Sequence, residues 1–294
     1  MHLLSSVLRA YGKLTKSGIV FFVLLTASLG YFLSLQSLSD YSRSVFFFFL
    51  AGLYLVASGS FILNQAQEWK IDSKMKRTRG RPIPKGQISP FQSYVLAFGF
   101  ISTGLLFLFI LQPVTAGLAF LTVALYNVLY TLFWKKQMSH GAVLGALPGA
   151  LPPVIGASLA DPYLLTPECI YLFFIMFLWQ MPHFWILAIR HKEDYKKGGI
   201  PVLPLSYGFD KTVYEMGLYV IAYCGLVLIS PLFLRAGVMH LILTCPLAVK
   251  IFYEFYKYTK NNTQWLRFFL WINVSLIACL FAPVMDKWLF LWSI

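Results

Sequence analysis

Long apolar stretches, separated by short polar segments, run along almost the whole chain. A membrane-spanning α-helix needs about 20 mostly apolar residues. Nine stretches meet this requirement, at 17–36, 44–65, 91–111, 113–134, 141–160, 169–190, 213–234, 237–256 and 265–285. Prolines interrupt the fifth stretch, but a helical bundle tolerates such breaks because neighbouring helices or water satisfy the freed backbone groups. The pattern predicts an all-α polytopic membrane protein with nine transmembrane helices in a single domain, 1–294.

The composition excludes two broad classes of protein. Apolar residues make up 59% of the 294 residues, and charged residues make up only 12%. Soluble globular domains carry about 25% charged residues, so this chain has too much apolar surface for one water-soluble core. Intrinsic disorder requires the opposite composition, with low hydrophobicity and high charge.

The few charges are mostly basic, with 24 Lys and Arg against 11 Asp and Glu, for a net charge of +13. A basic soluble protein would suggest a nucleic-acid partner. Here the bases are distributed between the apolar stretches instead of forming one patch, which argues against nucleic acid. If the stretches alternate across a membrane, almost all bases fall on the side of the N-terminus. The positive-inside rule then places the N-terminus in the cytoplasm.

Three oxygen-bearing side chains, Asn64, Glu68 and Asp72, follow one another at intervals of four where the second stretch ends. On a helix they lie within about 80° of one face and about 6 Å apart along the axis. Such oxygen ligands suit Mg²⁺, which often binds through one or two carboxylates and substrate phosphates. Basic residues follow at Lys74, Lys76, Arg77, Arg79, Arg81 and Lys85. The pattern is typical of a site for a metal-bridged polyphosphate, or of an exposed helix end with salt bridges between its turns.

A second polar cluster follows the sixth stretch, and it has the same mixture of acids and bases. Glu193 and Asp194 lie among Arg190, Lys192, Lys196 and Lys197. The predicted topology puts both clusters on one side of the membrane. Their carboxylates could therefore hold one diphosphate through two metal ions. A charged surface turn is the alternative.

Two polar residues are associated with apolar stretches. His183 lies inside the sixth stretch, where polar side chains are commonly functional and where an imidazole could ligate iron. A hydrogen-bonded structural histidine is the alternative. Lys135 follows the fourth stretch, near Tyr126 and Tyr130. It is either a site cation or a lysine that reaches towards the membrane surface.

Three segments together resemble a known family. The segment 64–82, with its Asn-Gln-xx-Glu-xxx-Asp core and its Met-x-Arg-Thr-xx-Arg-Pro tail, resembles the first Asp-rich motif of the UbiA-type intramembrane prenyltransferases. These details are most similar to the protohaem IX farnesyltransferase branch. The segments 182–189 and 194–204 are similar to the second region of that branch, and the segment 145–156 adds a third match. The resemblance covers about residues 15–285.

This resemblance implies a helical bundle around a central cavity, in the cell inner membrane, with the active site facing the cytoplasm. It also implies Mg²⁺ dependence, farnesyl diphosphate as donor and a vinyl group of haem B as acceptor. The product, haem O, would pass to a haem A synthase or a terminal oxidase. Two departures stand out: Glu68 replaces the usual Asp, and Gly198 stands four residues after Asp194, where the superfamily usually has a second Asp.

The resemblance also implies roles for individual residues. Asp72, Asp194 and Glu68 are the expected catalytic acids, and Asn64 joins them as an expected metal ligand. Phosphate oxygens are expected to contact Asn64, Arg77, Arg81, Lys135, Arg190 and Lys192. His183 is the candidate haem-binding residue.

Three other functions compete with this interpretation. A quinone-pathway prenyltransferase of the same architecture would use an aromatic acid as acceptor. A secondary transporter would carry charges near the membrane midplane and inverted repeats, whereas the acids here lie at helix ends. A non-enzymatic haem-binding membrane protein would depend on His183 and not on the acids.

Overall fold

The computed structural model describes residues 2–234 and 238–290, and the regular structure of these residues is entirely helical. Helices α1–α14 span His2–Thr15, Ser17–Ser34, Arg43–Asp72, Pro90–Leu111, Pro113–Val123, Lys135–Gln137, Gly141–Ala150, Pro152–Ala160, Pro167–Arg190, Lys192–Gly198, Leu203–Ser206, Gly208–Leu228, Val238–Lys260 and Trp265–Phe290. A π-helical segment, Ala124–Trp134, joins α5 to α6 without a break. The all-α prediction is therefore confirmed.

Eight helical segments of the described residues are long and apolar enough to cross a membrane. They are Ser17–Ser34, Arg43–Asp72, Pro90–Leu111, Pro113–Gln137, Gly141–Ala160, Pro167–Arg190, Gly208–Leu228 and Asn262–Leu289. Each overlaps one predicted stretch. The remaining stretch, 237–256, corresponds to α13, and its first residue lies outside the described part of the chain. Eight spans are thus supported, and the count of nine and the cytoplasmic N-terminus stay predictions.

The helices form two compact units. The first contains the residues up to Leu25, Gln36–Pro148 and Lys192–Val202. Its two longest helices, α3 and α4, cross closely, since a Cβ on Gly104 would lie 2.6 Å from the backbone oxygen of Gly52. Leu14 and Ala97 belong to its buried apolar cluster. This packing fixes the end of α3, where the first polar cluster lies.

The second unit contains Thr26–Leu35, Gly149–His191 and the residues from Leu203 onward. Its helix α9 is bound to α14 by a hydrogen bond from the Tyr171 hydroxyl to the backbone oxygen of Cys279. The predicted proline break occurs here, since α8 begins at Pro152 directly after Leu151.

Candidate active site

The first polar cluster forms a buried row along the last turns of α3. The side chains of Asn64, Glu68 and Asp72 are all less than 3% exposed. The Asn64 Nδ2 atom donates a hydrogen bond to Glu68 Oε2 at 3.1 Å, which confirms that these two residues share a helix face. The alternative of a solvent-exposed helix end is wrong, because an exposed face would not bury two carboxylates.

Each buried carboxylate is paired with a cation from another segment of the first unit. Lys135 Nζ lies 2.7 Å from both Glu68 carboxylate oxygens. Arg81, from the segment after α3, pairs with Asp72 Oδ2. Buried carboxylates require such compensation because transferring an unpaired charge out of water costs several kcal/mol. The pairs place one cation beside each of the two acids.

The π-helical segment positions Lys135 against α3. Asn127 donates to the backbone oxygen of Ser60 and accepts from its hydroxyl group. Four residues further on, Thr131 accepts a hydrogen bond from Asn64 Nδ2 at 3.1 Å. π-helical turns are rare and occur frequently at functional sites. The sequence pattern predicted a regular helix here and gave no signal for Thr131.

Lys16 is a site residue that the sequence analysis missed. Its Nζ atom donates to Asn64 Oδ1 at 3.0 Å and lies 3.4 Å from the Tyr126 hydroxyl oxygen. Lys16 separates α1 from α2 and has a φ of +53°, in the left-handed region that a non-glycine residue adopts only at a cost. The kink turns the side chain towards α3. The only sequence signal was a basic residue directly before the first apolar stretch.

The surroundings of Lys16 disfavour its protonated, positively charged form. Burial of the ammonium group lowers the pKa of Lys16 to about 7, and the nearby cations Arg81 and Lys135 act in the same direction. The carboxylates of Glu68 and Asp72 oppose this shift. An anion that entered the cluster would favour the charged form of Lys16.

The second polar cluster meets the first within the same unit. Asp194, in α10, accepts the backbone N–H of Lys76 on one carboxylate oxygen at 3.1 Å and that of Arg77 on the other at 3.0 Å. A carboxylate retains further lone pairs after two such bonds. Asp194 therefore lies against the basic segment that follows Asp72, which is the juxtaposition that the sequence predicted.

Gly198 packs closely against the residues that follow α3. A Cβ at Gly198 would lie 3.0 Å from Met75 Sδ and 3.3 Å from Ile71 Cγ2. A larger residue would have to displace the Met75 side chain. This close approach gives a physical reason why a glycine follows Asp194 at the position where a second acid was expected.

Three predicted site residues have other surroundings. The Arg77 guanidinium lies over the Tyr195 ring, 5.9 Å from its centroid. The Arg190 guanidinium lies over the Trp265 ring at 5.3 Å, in the second unit, and Lys192 is exposed.

His183 also lies in the second unit, where Nδ1 is 3.0 Å from Asn273 Oδ1. The hydrogen-bonded histidine that the sequence analysis considered is therefore present. This bond involves Nδ1 and not Nε2, the other ring nitrogen.

The oxygen atoms of the row suit a magnesium ion that also binds water and substrate phosphates. They suit a metal ion enclosed by protein ligands alone less well. No group of three or more His, Cys, Asp and Glu side chains suited to a metal occurs among the described residues. The row instead offers the oxygens of one amide and two carboxylates, with Asp194 on the adjoining segment. Mg²⁺ typically binds through one or two carboxylates, with water and substrate phosphates completing its shell. The cations beside the acids suit those phosphates.

Known proteins share both this sequence and this fold. The UbiA prenyltransferase family matches residues 23–276. The protoheme IX farnesyltransferase of Bdellovibrio bacteriovorus is 47% identical, covering 97% of this chain and 99% of that protein. The Aquifex aeolicus protein of the same name is 35% identical, covering 95% of each chain.

Two solved structures resemble the fold. A digeranylgeranylglyceryl phosphate synthase superimposes with a TM-score of 0.77 at 18% identity, covering 95% of this chain and 98% of that one. A UbiA homologue from Archaeoglobus fulgidus, bound to GPP and Mg²⁺, gives 0.67 at 16% identity, covering 94% and 99%. With the sequence match and the buried acid row, the chain belongs to the UbiA prenyltransferase family, among the proteins named protoheme IX farnesyltransferase.

Proposed function

We propose that this protein transfers the farnesyl group of farnesyl diphosphate to a vinyl group of haem B and so forms haem O for terminal oxidase assembly. The relatives named protoheme IX farnesyltransferase support this donor and this acceptor. The observation that carries the proposal is the buried row of Asn64, Glu68 and Asp72, with Lys16 bonded to Asn64 and Asp194 bonded to the segment that follows the row.

The proposal assigns Mg²⁺ to the oxygens of Asn64, Glu68, Asp72 and Asp194. When bound, Mg²⁺ supplies Lewis-acid stabilisation of the negative charge that develops on the departing diphosphate. The Archaeoglobus fulgidus UbiA homologue is bound to Mg²⁺, which supports a metal-dependent prenyl transfer.

The basic side chains bind and orient the diphosphate. Lys135 and Arg81 neutralise Glu68 and Asp72 in the described structure, and they lie close enough to contact phosphate oxygens beside those acids. Lys16 adds a donor bonded to Asn64 Oδ1. Arg77, whose backbone N–H is bonded to Asp194, adds a guanidinium that lies over the Tyr195 ring. The phosphate contacts of Arg190 and Lys192 stay predictions, since the Arg190 guanidinium lies over the Trp265 ring and Lys192 is exposed.

The transfer separates charge, so the site must keep water from the allylic cation until the vinyl carbon has attacked it. The C–O bond to the diphosphate breaks, the vinyl carbon bonds to the allylic carbon, and the resulting cation takes up water as a hydroxyl group and releases a proton. A low-dielectric site strengthens each contact with the leaving oxygen. The aromatic rings of Phe61 and Tyr126 pack edge to face, and the Tyr126 hydroxyl lies 3.4 Å from Lys16 Nζ.

We also propose the setting of the enzyme. The match over 23–276 supports a single prenyltransferase domain for 1–294, and the eight spans support a multi-pass membrane protein. The basic loops support the cell inner membrane, with the site facing the cytoplasm. A haem A synthase or a terminal oxidase would receive the product.

The decisive experiment is mass spectrometry of porphyrins after the purified protein is incubated with haem B, farnesyl diphosphate and Mg²⁺. We expect haem O from the wild type and none from Asp72→Asn, with the Glu215→Gln variant as an active control. Glu215 is half-buried and pairs with the exposed Lys211 one turn away on α12, and ion pairs near a surface contribute little. In a parallel incubation, 4-hydroxybenzoate replaces haem B, and a prenylated product there without haem O in the first incubation would indicate a quinone-pathway enzyme. Haem binding without product would indicate a haem-binding protein, and both outcomes would overturn the proposal.

A further inference from the structure

His183 occupies an aromatic setting inside the second unit. Its ring centroid lies 4.7 Å from that of Trp179, one turn earlier on α9, and 4.8 Å from that of Phe269 on α14. Phe184 meets it edge to face at 5.7 Å. The side chain is only partly buried. These contacts hold the imidazole in one orientation and leave part of it accessible.

The neighbouring amide fixes which ring nitrogen carries the proton. Asn273 Nδ2 donates to the backbone oxygen of Phe269, so Asn273 presents Oδ1, an acceptor, to His183. An acceptor at 3.0 Å from Nδ1 requires a proton on Nδ1, and Nε2 then carries the lone pair. Within residues 2–234 and 238–290, Nε2 makes no hydrogen bond.

This arrangement matches a metal ligand better than a structural histidine. Metal-bound histidines almost always donate their second N–H to an oxygen, which fixes the tautomer and increases the basicity of the ligating nitrogen. His183 is only partly buried, so the unbonded Nε2 remains open to a ligand. The aromatic neighbours also suit a flat, apolar macrocycle.

We propose that His183 Nε2 is an axial ligand of the iron of the haem acceptor, and that Asn273 is the positioning residue that holds the imidazole for this bond. The inference rests on the proposed function, since haem is the acceptor there. The Nε2 lone pair enters an axial position of the iron in place of water, and no proton moves. The bond orients the macrocycle relative to α9 and restricts which vinyl group is presented.

The test uses the full-length protein in detergent and titrates it with ferric haem B and, separately, with metal-free protoporphyrin IX. We expect an imidazole-ligated absorption and EPR spectrum in the wild type and its loss in His183→Ala, with recovery on adding free imidazole. Asn273→Ala should weaken haem binding by roughly 10- to 100-fold, as losses of such supporting hydrogen bonds do. Metal-free porphyrin should bind all variants equally, which also shows that they are folded. His140→Gln, in an exposed connection, is the matched control.

Three results would overturn the inference. A His183→Ala variant with the wild-type haem spectrum would exclude ligation of the iron by His183. If that variant still forms haem O, the proposed function survives. Equal losses of haem and metal-free porphyrin binding would reduce His183 to a packing role. Lost turnover with an unchanged spectrum would indicate a proton-transfer role instead. A wild type that neither binds haem nor forms haem O would refute the proposed function itself.

Discussion

Lys16 enters the candidate site from a backbone conformation that lysine rarely adopts. If its ammonium group binds the diphosphate, Lys16→Met should raise KM for farnesyl diphosphate by about 10-fold or more. A charge-assisted hydrogen bond is worth about 1.5–3 kcal/mol, and each 1.4 kcal/mol is tenfold in affinity. Steady-state kinetics at saturating haem B measures the effect.

The controls for Lys16 separate charge from local structure. Lys16→Arg keeps the cation and should recover most of the affinity, whereas the exposed neighbour Lys13 can be changed to Met without effect on KM. A Lys16→Met enzyme with unaltered KM would show that the side chain only supports Asn64.

Asn64, Glu68 and Lys16 show where sequence reasoning succeeded at this scale and where it stopped. The common face of Asn64 and Glu68 follows from helix periodicity, which is local and readable. The contact between Lys16 and Asn64 joins residues 48 positions apart and depends on how α1 and α2 pack on α3. No pattern within either segment predicts that contact.

At the scale of elements, α10 docks onto the segment after α3 through one carboxylate. Asp194→Asn should impair this docking, because an amide offers one oxygen, and its NH₂ group would face the second backbone N–H. We expect turnover to fall by at least about 100-fold. Trypsin should also cleave faster after the exposed Lys76 and Arg77.

The neighbouring acid provides the matched comparison for Asp194. Glu193 is exposed on the same short helix, so Glu193→Gln should keep wild-type turnover and proteolysis. An Asp194→Asn enzyme that is inactive but equally resistant to trypsin would assign Asp194 to chemistry alone, without a role in holding the loop.

Helix packing gives a physical role to the segment 145–156, which resembles the family but contains no proposed site residue. A Cβ on Gly156 would lie 1.7 Å from the Ala27 backbone oxygen, so α8 and α2 touch directly there. Gly156→Ala should destabilise the protein by about 1–3 kcal/mol, because a backbone atom cannot move aside as a side chain can. Thermal unfolding in detergent, followed by size-exclusion chromatography, measures the loss.

Gly117 is the matched glycine for this prediction, since a Cβ there meets nothing within 4 Å. Gly117→Ala should leave the protein as stable as the wild type or slightly more stable, because alanine favours helices more than glycine does. Equal melting temperatures for both variants would contradict the packing argument.

At the scale of the whole molecule, the apolar pattern predicted the helical architecture and eight of the observed spans. Long hydrophobic stretches have few alternatives in a membrane, which makes them predictable. The division into two compact units was not foreseen, because it depends on side-chain contacts between distant helices. The π-helical segment Ala124–Trp134 was missed for a similar reason, since its bonds to α3 involve Asn127 and Thr131.

The proposed magnesium ligands and the proposed haem ligand are different side chains, which predicts that haem ligation does not require the metal. The proposed magnesium ligands, from Asn64 to Asp194, belong to the first unit, whereas His183 and Asn273 belong to the second. Removing Mg²⁺ with EDTA should therefore stop haem O formation and weaken binding of farnesyl diphosphate, while the haem absorption spectrum stays unchanged. Spectra and product analysis on the same sample compare the two effects. Restoring Mg²⁺ should restore turnover. Turnover in EDTA would contradict the prediction. A spectral change in EDTA like that of His183→Ala would also contradict it, because haem ligation would then depend on the metal.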